Sequence, residues 1–268
     1  MTHPEPAPEY PAYNRVSKKK CPNQKLVNSS SADAVCRMFD SIAPYYVLLN
    51  HVLSFGWDFL WRRKLANAVN KEKQLKVLDL ATGTGDLLIS LLRRNPNITE
   101  AVGLDISENM LALCRERIAK HKLTDRVSLV RSDAADSGLS EESFDVVTMG
   151  FGIRNTPDAF KTLCEIHRIL KQGGRVLILE FSLPSNRIIR KCYLLYLRNF
   201  VPLLGRLLSG DKNAYRYLNT SVEKFYSVDD FSSLMRKAGF EDISAAALTF
   251  GVVCIYKASK ASAGSSES

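Results

Sequence analysis

The chain has 268 residues, 46% of them hydrophobic and 24% charged, a globular balance at a size that needs no disulfide staples. Its formal charge of +9 admits nucleic acid or an anionic membrane surface as a partner without choosing between them. No secretory-type apolar stretch opens the chain and no run of about 18 uncharged apolar residues could span a bilayer; the six cysteines form no C-x-x-C pair and no zinc-spaced cluster with histidine, so a reducing compartment and no metal are expected.

Residues 1–29, rich in Pro, Ser, Asn and Lys, read as a disordered arm, and residues 260–268 as a disordered polar tail. The span between them, 30–259, reads as one domain. A helical segment at about residues 31–69 comes first. Apolar, β-branched runs follow at Lys76–Leu80, Ala101–Ile106, Val127–Val130, Phe144–Met149 and Arg175–Glu180. Helical patterns at Leu87–Arg94, Glu108–His121 and Asp158–Leu170 separate them. Strands alternating with helices predict βαβ units and a parallel sheet. A second helical insertion covers about Asn186–Leu208. A helix near Val228–Ala238 then leads into two successive strands, Ile243–Leu248 and Val252–Tyr256, with Gly251 between them. Succession without a helix predicts an antiparallel pair at one edge. The fold class is therefore α/β: a Rossmann-like, mostly parallel, seven-stranded sheet with an antiparallel C-terminal edge. The helical segments at 30–70 and 185–226 are expected as lids over the strand C-terminal ends, the edge where open α/β sheets bind ligands.

The first strand runs into Asp79-Leu80-Ala81-Thr82-Gly83-Thr84-Gly85-Asp86. Gly83 and Gly85 allow positive φ and close approach of a ligand to the backbone, and the helix that follows offers free N–H groups at its start. Asp105 ends the second strand, 20 residues after Gly85, where a carboxylate can accept from both ribose hydroxyls. A dinucleotide site needs a third glycine where Leu88 stands, and Asp86 would crowd a pyrophosphate. The pattern instead suits a ligand with no phosphate and a cationic centre, as in S-adenosylmethionine. Asp79 and Asp86 would set negative charge near its ammonium and sulfonium, Asp105 would hold the ribose, and Asp133 would accept from the adenine amino group.

With those motifs in place, the chain resembles the ubiquinone/menaquinone biosynthesis C-methyltransferase family, from about Met38 to Tyr256. Phe39–Arg62 keeps the family's Phe39, Asp40, Ala43, Tyr46, Asn50, Ser54, Gly56 and Trp61, and departs at Val47 (usually Asp) and Asp58 (usually His). Arg168–Ser182 departs only at Gln172, where the family has Pro, and Ala214–Phe225 is a third echo. The resemblance implies a class I methyltransferase fold with S-adenosylmethionine as cofactor. By position it implies contacts from Thr84 in the glycine-rich turn, Asp105, Asp133 and Ala134, and a backbone contact at Gly150, where the family often has Ser before Phe151-Gly152-Ile153-Arg154-Asn155.

The implied reaction is C-methylation of a polyprenylated quinol, demethylmenaquinol being the first choice of acceptor. An aromatic carbon becomes nucleophilic once the neighbouring hydroxyl ionises, so the site must align the two reactants and favour the phenolate. Arg154 is the candidate to stabilise that phenolate, with a structural ion pair as its plain alternative. Asn155 would orient the hydroxyl or a water, and Asp40, Tyr46 and His51 are candidates for the base. In the second insertion, Ile189, Tyr193, Tyr196 and Phe200 fall on one helical face and Arg187, Lys191 and Arg198 on the other. Such a helix suits a lid or weak contact with an anionic membrane surface, giving a cytoplasmic protein peripheral at the inner face; an oligomer is compatible with the pattern. Two other functional classes compete with this one. A nucleic-acid methyltransferase fits the charge, but the chain lacks [DN]-P-P-[FYW] after the fourth strand and has no Pro-Cys, so no nucleic-acid partner is expected. A non-catalytic binding module would be expected to have a damaged cofactor turn, and this one reads as whole.

Overall fold

The computed structural model describes residues 51–69, 73–203 and 212–262. The expected arm and the candidates Asp40 and Tyr46 lie outside the described residues, as do residues 263–268 of the tail. The described chain folds as α1 (Trp57–Ala66), β1 (Leu75–Leu80), α2 (Asp86–Arg94), β2 (Ile98–Asp105), α3 (Glu108–Lys120), β3 (Val127–Arg131), β4 (Phe144–Gly150), α4 (Ala159–Ile169), β5 (Leu170–Phe181), α5 (Arg187–Leu195), α6 (Lys212–Lys224), α7 (Val228–Lys237), β6 (Glu241–Leu248) and β7 (Val253–Ser259).

The seven strands form one sheet in the order β3-β2-β1-β4-β5-β7-β6. All neighbours run parallel except β7, which pairs antiparallel with both β5 and β6. The strand order reverses between β1 and β4, and a crevice opens beyond their C-terminal ends. β1 is buried along nearly its whole length, as a parallel strand covered on both faces must be.

Alternation along the strands divides the core into two layers. One face carries Leu78, Leu80, Val147, Met149, Ile178 and Tyr256 against Leu163, Ile166, Phe231 and Met235 of α4 and α7. The other carries Val77, Val146, Leu177, Leu179 and Ile255 against Trp61 and Leu65 of α1 and Leu88 and Leu91 of α2. Burying each such Leu, Ile or Val contributes roughly 1.5–3 kcal/mol. Caps fix several helix starts: Ser107 accepts from Met110 N and Asp158 from Lys161 N.

Strand five begins at Leu170, not at Arg175 as the sequence pattern suggests. Leu170 is fully buried and pairs with Phe144, and the register then shifts before Val146 meets Arg175. Gly173 (φ 70°) and Gly174, whose Cβ would come 2.8 Å from Lys171 O, make that irregularity sterically possible.

The inserted segment builds a third small core of Leu197, Val201 and Val222, with Leu53, Phe181, Leu183, Tyr193, Tyr196 and Leu218 packed against it. Tyr196–Phe200 forms a π-helical turn; Leu197 and Val201 are buried, while Phe200, 46% exposed, stacks on Tyr196 with ring centroids 5.7 Å apart, so those two aromatics share a face as expected. Here one expectation changes. Arg198, expected on a bare basic face, pairs with Glu223 of α6 at 2.6 Å. Among the described residues no helix is long and apolar enough to cross a membrane.

Candidate cofactor and acceptor site

The turn after β1 is built from unusual backbone. Ala81 (φ 49°), Gly83 (φ 56°) and Gly85 (φ 80°) all take left-handed conformations. Gly85 is needed twice over, because a Cβ there would also lie 2.6 Å from Cys114 Sγ. At Gly83 a Cβ would meet nothing within 4 Å, so that face of the turn is open toward a ligand.

A cleft of about 740 Å3, open to solvent, lies over this turn. Gly83, Asp105, Asp133, Ala134, Gly150 and Asn155 line it. Six of the residues picked from sequence, drawn from four separate loops, thus meet at one wall. Asp105 accepts from Gly83 N at 2.8 Å and from Ser107 N at 2.9 Å, which fixes its carboxylate plane between two crossover loops. Asp133 accepts from Ala135 N at 2.8 Å. At Gly150, a Cβ would come 3.1 Å from Leu87 Cδ2, so the loss of the family's usual Ser goes with a leucine packed into that space.

Other sequence candidates stand behind the wall. Asp79 is 1% exposed and accepts from Thr82 Oγ1 (2.7 Å) and Thr148 Oγ1 (2.6 Å). Burial pushes its pKa up to about 6, against the lowering effect of those two bonds and of the Arg62 charge. Thr84 is also buried, and its hydroxyl donates to Asp86 at 3.1 Å. Asp86 does not stand as an uncompensated charge for a cationic ligand: Arg117 binds its carboxylate at 2.6 Å and donates to Thr84 O at 2.9 Å. Hydrogen bonds from Arg117 and the Arg62 and Arg117 charges hold its pKa below the usual value despite burial. Gly85 acts through the turn and not at the cleft surface.

The loop after β4 carries the two candidates Arg154 and Asn155. Phe151 has φ 58°, a strained conformation for a bulky residue. Its carbonyl accepts from Arg154 Nη1 at 2.7 Å and Asn155 Nδ2 at 3.1 Å, so the two candidates lock the turn that presents them. Arg154 is also ion-paired: Nη1 lies 2.8 Å from Glu180 Oε1, with side chains 6% and 0% exposed. Glu180 further accepts from Phe181 N. The guanidinium sits over the Phe181 ring, 5.1 Å from its centroid. The structural ion pair weighed against the phenolate role therefore exists. It does not consume the group, because Arg154 Nε is buried without a partner.

His51 is not poised as an isolated base. Its Nδ1 lies 2.7 Å from Asp58 Oδ2, its ring stacks on Phe59 at 4.0 Å, and Arg62 binds the same carboxylate. Asp58, a departure from the family pattern, is thus satisfied by three neighbours, Ser54 included.

Sequence reasoning assigned no role to Glu180, Arg62, Thr148 or Arg117. Glu180 was visible in the quoted Arg168–Ser182 stretch, but its partner is 26 residues away and only the sheet brings them together.

The sequence profile of the ubiE/COQ5 methyltransferase family matches residues 26–260. The chain is 36% identical to a demethylmenaquinone methyltransferase of Bacteroides fragilis, over 87% of this chain and 95% of the relative. It is 37% identical to a ubiquinone/menaquinone biosynthesis C-methyltransferase of Geobacter sulfurreducens, over 90% and 94%. It is 43% identical to a demethylmenaquinone methyltransferase of Thermotoga maritima, over 82% and 93%. Among solved structures, a SAM-dependent methyltransferase of T. maritima, a possible histamine N-methyltransferase, superposes with a TM-score of 0.60 at 19% identity, covering 84% of this chain and 99% of that one. The [4+2]-cyclase SpnF superposes at 0.62 and 17% identity, covering 86% and 97%. At those identities the structures speak for the fold alone.

Proposed function

Since the chain belongs to the ubiE/COQ5 methyltransferase family, we propose that it methylates a ring carbon of a polyprenylated quinol, with demethylmenaquinol as the preferred acceptor. S-adenosylmethionine is the cofactor, and the residues present fit it. The cleft is open over Gly83, an acidic residue pinned by backbone N–H groups forms its wall, and Asn155 Oδ1 is buried without a partner at its rim. Asp105 would hold the ribose hydroxyls, Asp133 and Ala134 the adenine edge, and Gly83 and Gly150 would let the ligand lie against backbone. When bound, the cofactor supplies an electrophilic methyl group.

This chain's residues prepare the other reactant. Ionising the quinol hydroxyl, whose proton passes to solvent, makes the adjacent ring carbon nucleophilic; once that carbon carries the methyl it loses its own proton and the oxygen is reprotonated. Arg154 stabilises the phenolate oxygen. A guanidinium stays protonated, so it acts as an electrostatic partner and not as a base. Glu180 holds it in one orientation, and Asn155 on the same turn faces the cleft. The observation that carries this reading is the loop Phe151–Asn155, which joins the cofactor cleft to the buried Arg154–Glu180 pair within five residues.

The lid suits a greasy acceptor. Ile188 (75% exposed) and Leu195 (65%) sit on α5 with Arg187 and Lys191, an arrangement that would rest on an anionic bilayer surface. The test of function is direct. The protein is incubated with methyl-labelled cofactor and short-tailed naphthoquinol or benzoquinol, and products are identified by mass spectrometry. Label in the naphthoquinol ring supports the reading; label in neither quinol refutes it.

A further inference from the structure

Two buried hydrogen-bond donors, one on the loop that lines the cleft and one on the lid, have nothing to donate to. One is Arg154 Nε: its neighbour Nη1 serves both Phe151 O and Glu180 Oε1, yet Nε–H has no acceptor. The other is the hydroxyl of Tyr193 on α5, likewise buried and unpartnered. Buried donors almost always find acceptors, so each exception calls for a reason. The two share a floor. Phe181 lies beneath the Arg154 guanidinium and packs, as Tyr193 does, on the lid core of Leu197, Val201 and Val222. Tyr196, one turn on, shows the contrast: its hydroxyl donates to Leu53 O at 2.7 Å.

We propose that Tyr193 is a catalytic residue: its O–H and the Nε–H of Arg154 together hold the ionised quinol oxygen beside the carbon that is methylated. The chemistry selects that ligand. Both groups donate, the surroundings are apolar and aromatic, and the nearest carboxylate is already held by Arg154 and backbone N–H groups. An acceptor atom on a flat apolar body, bearing negative charge, satisfies all three conditions. Burial also raises the Tyr193 pKa, and this outweighs the opposing pull of the Arg154 charge, so the phenol stays protonated and donates. α5 thereby supplies a group to the reaction as well as a roof. The inference rests on the quinol reading above and adds the second donor to it.

Tyr193→Phe removes only the hydroxyl. Because that hydroxyl has no protein partner, the variant should melt at or above the wild-type temperature. Turnover should fall by up to about 10²-fold, the scale for one lost oxyanion donor, with affinity for S-adenosylmethionine unchanged. The acidic limb of the pH–rate profile should move to higher pH, since the bound quinol ionises less readily. A readout independent of turnover uses 1-naphthol. Its phenolate absorption should appear at lower pH when bound to wild type than when free, and Tyr193→Phe should reduce that shift. Unchanged turnover, pH profile and naphthol ionisation would overturn the proposal. Arg154→Met, run in parallel, separates the layers: if it is impaired while Tyr193→Phe is not, the second donor is wrong and the quinolate reading stands. If neither variant is impaired, both fall.

Discussion

Asp105 offers the sharpest test of the cofactor cleft. In Asp105→Ala the ribose loses its charged acceptor. Hydrogen bonds to a charged partner contribute about 1.5–3 kcal/mol, which at about 1.36 kcal/mol per decade is roughly 10- to 150-fold in Kd. The same change orphans two N–H groups, Gly83 N and the buried Ser107 N. An unsatisfied buried donor costs about 1–3 kcal/mol, so the melting temperature should fall too. Asp105→Asn separates the two effects. Its single amide oxygen can keep one of the backbone bonds but carries no charge, so stability should be lost less than affinity. Isothermal titration with S-adenosylmethionine measures the affinity, and a calorimetric melt without ligand measures the stability. Wild-type affinity in a folded Asp105→Ala protein would place the ribose elsewhere and refute the cleft assignment.

Arg154→Met should lower turnover by about 10²–10³-fold with near-normal cofactor affinity, while Lys should rescue only in part because it lacks the planar fork; higher pH should restore some activity to the Met variant. The same substitution leaves Glu180 as an uncompensated buried carboxylate and should cost about 3–5 kcal/mol in a denaturant melt, much of it recovered by adding Glu180→Gln. Gly85→Ala meets both a φ of 80° and the Cys114 sulfur at 2.6 Å; adding Cys114→Ala should relieve the collision but leave the backbone strain of about 1–3 kcal/mol in melts. Asp79 titrates near 6 when folded against 3.8 as its ordinary value. A raised folded pKa means the protonated form is favoured by folding, so its contribution is complete below about pH 4 and is lost as pH rises through about 6; Asp79→Asn, whose amide the Thr82 and Thr148 hydroxyls can still satisfy, should flatten that slope in unfolding measured from pH 4 to 7. Charge reversal at Arg187 and Lys191 should abolish co-sedimentation with anionic vesicles, whereas reversal at Arg198 should matter less because Glu223 already holds it.

The sheet was legible because the strands were apolar, β-branched runs separated by helical patterns, and because α/β order leaves few topologies. The wall of the cleft was legible for the same reason: Gly83, Asp105, Asp133 and Gly150 sit at or just beyond the C-terminal ends of parallel strands, which the sheet brings together. Legibility stopped where roles depend on contacts across the sequence. That Asp86 is neutralised by Arg117, 31 residues away, could not be read from its place in the turn. The pairing of Arg154 with Glu180 needs β4 and β5 in register. The partner of Arg198 was hidden in the same way, since Glu223 stands 25 residues away on another helix.

The place of β7 also bears on how the protein comes into being. The seven strands are synthesised in numerical order, yet β7 lies between β5 and β6. During translation β5 therefore remains an unpaired edge on one side until the stretch Val253–Ser259 has left the ribosome, even though β1 to β4 can already be assembled. An exposed hydrophobic edge of this kind is a target for chaperones and for aggregation. Glu180 lies on that edge and faces Cys254 of β7 in the finished sheet. The anchor of Arg154 is thus among the last parts to be secured. A nascent chain released early would carry a nearly complete cofactor cleft beside an unfinished acceptor end.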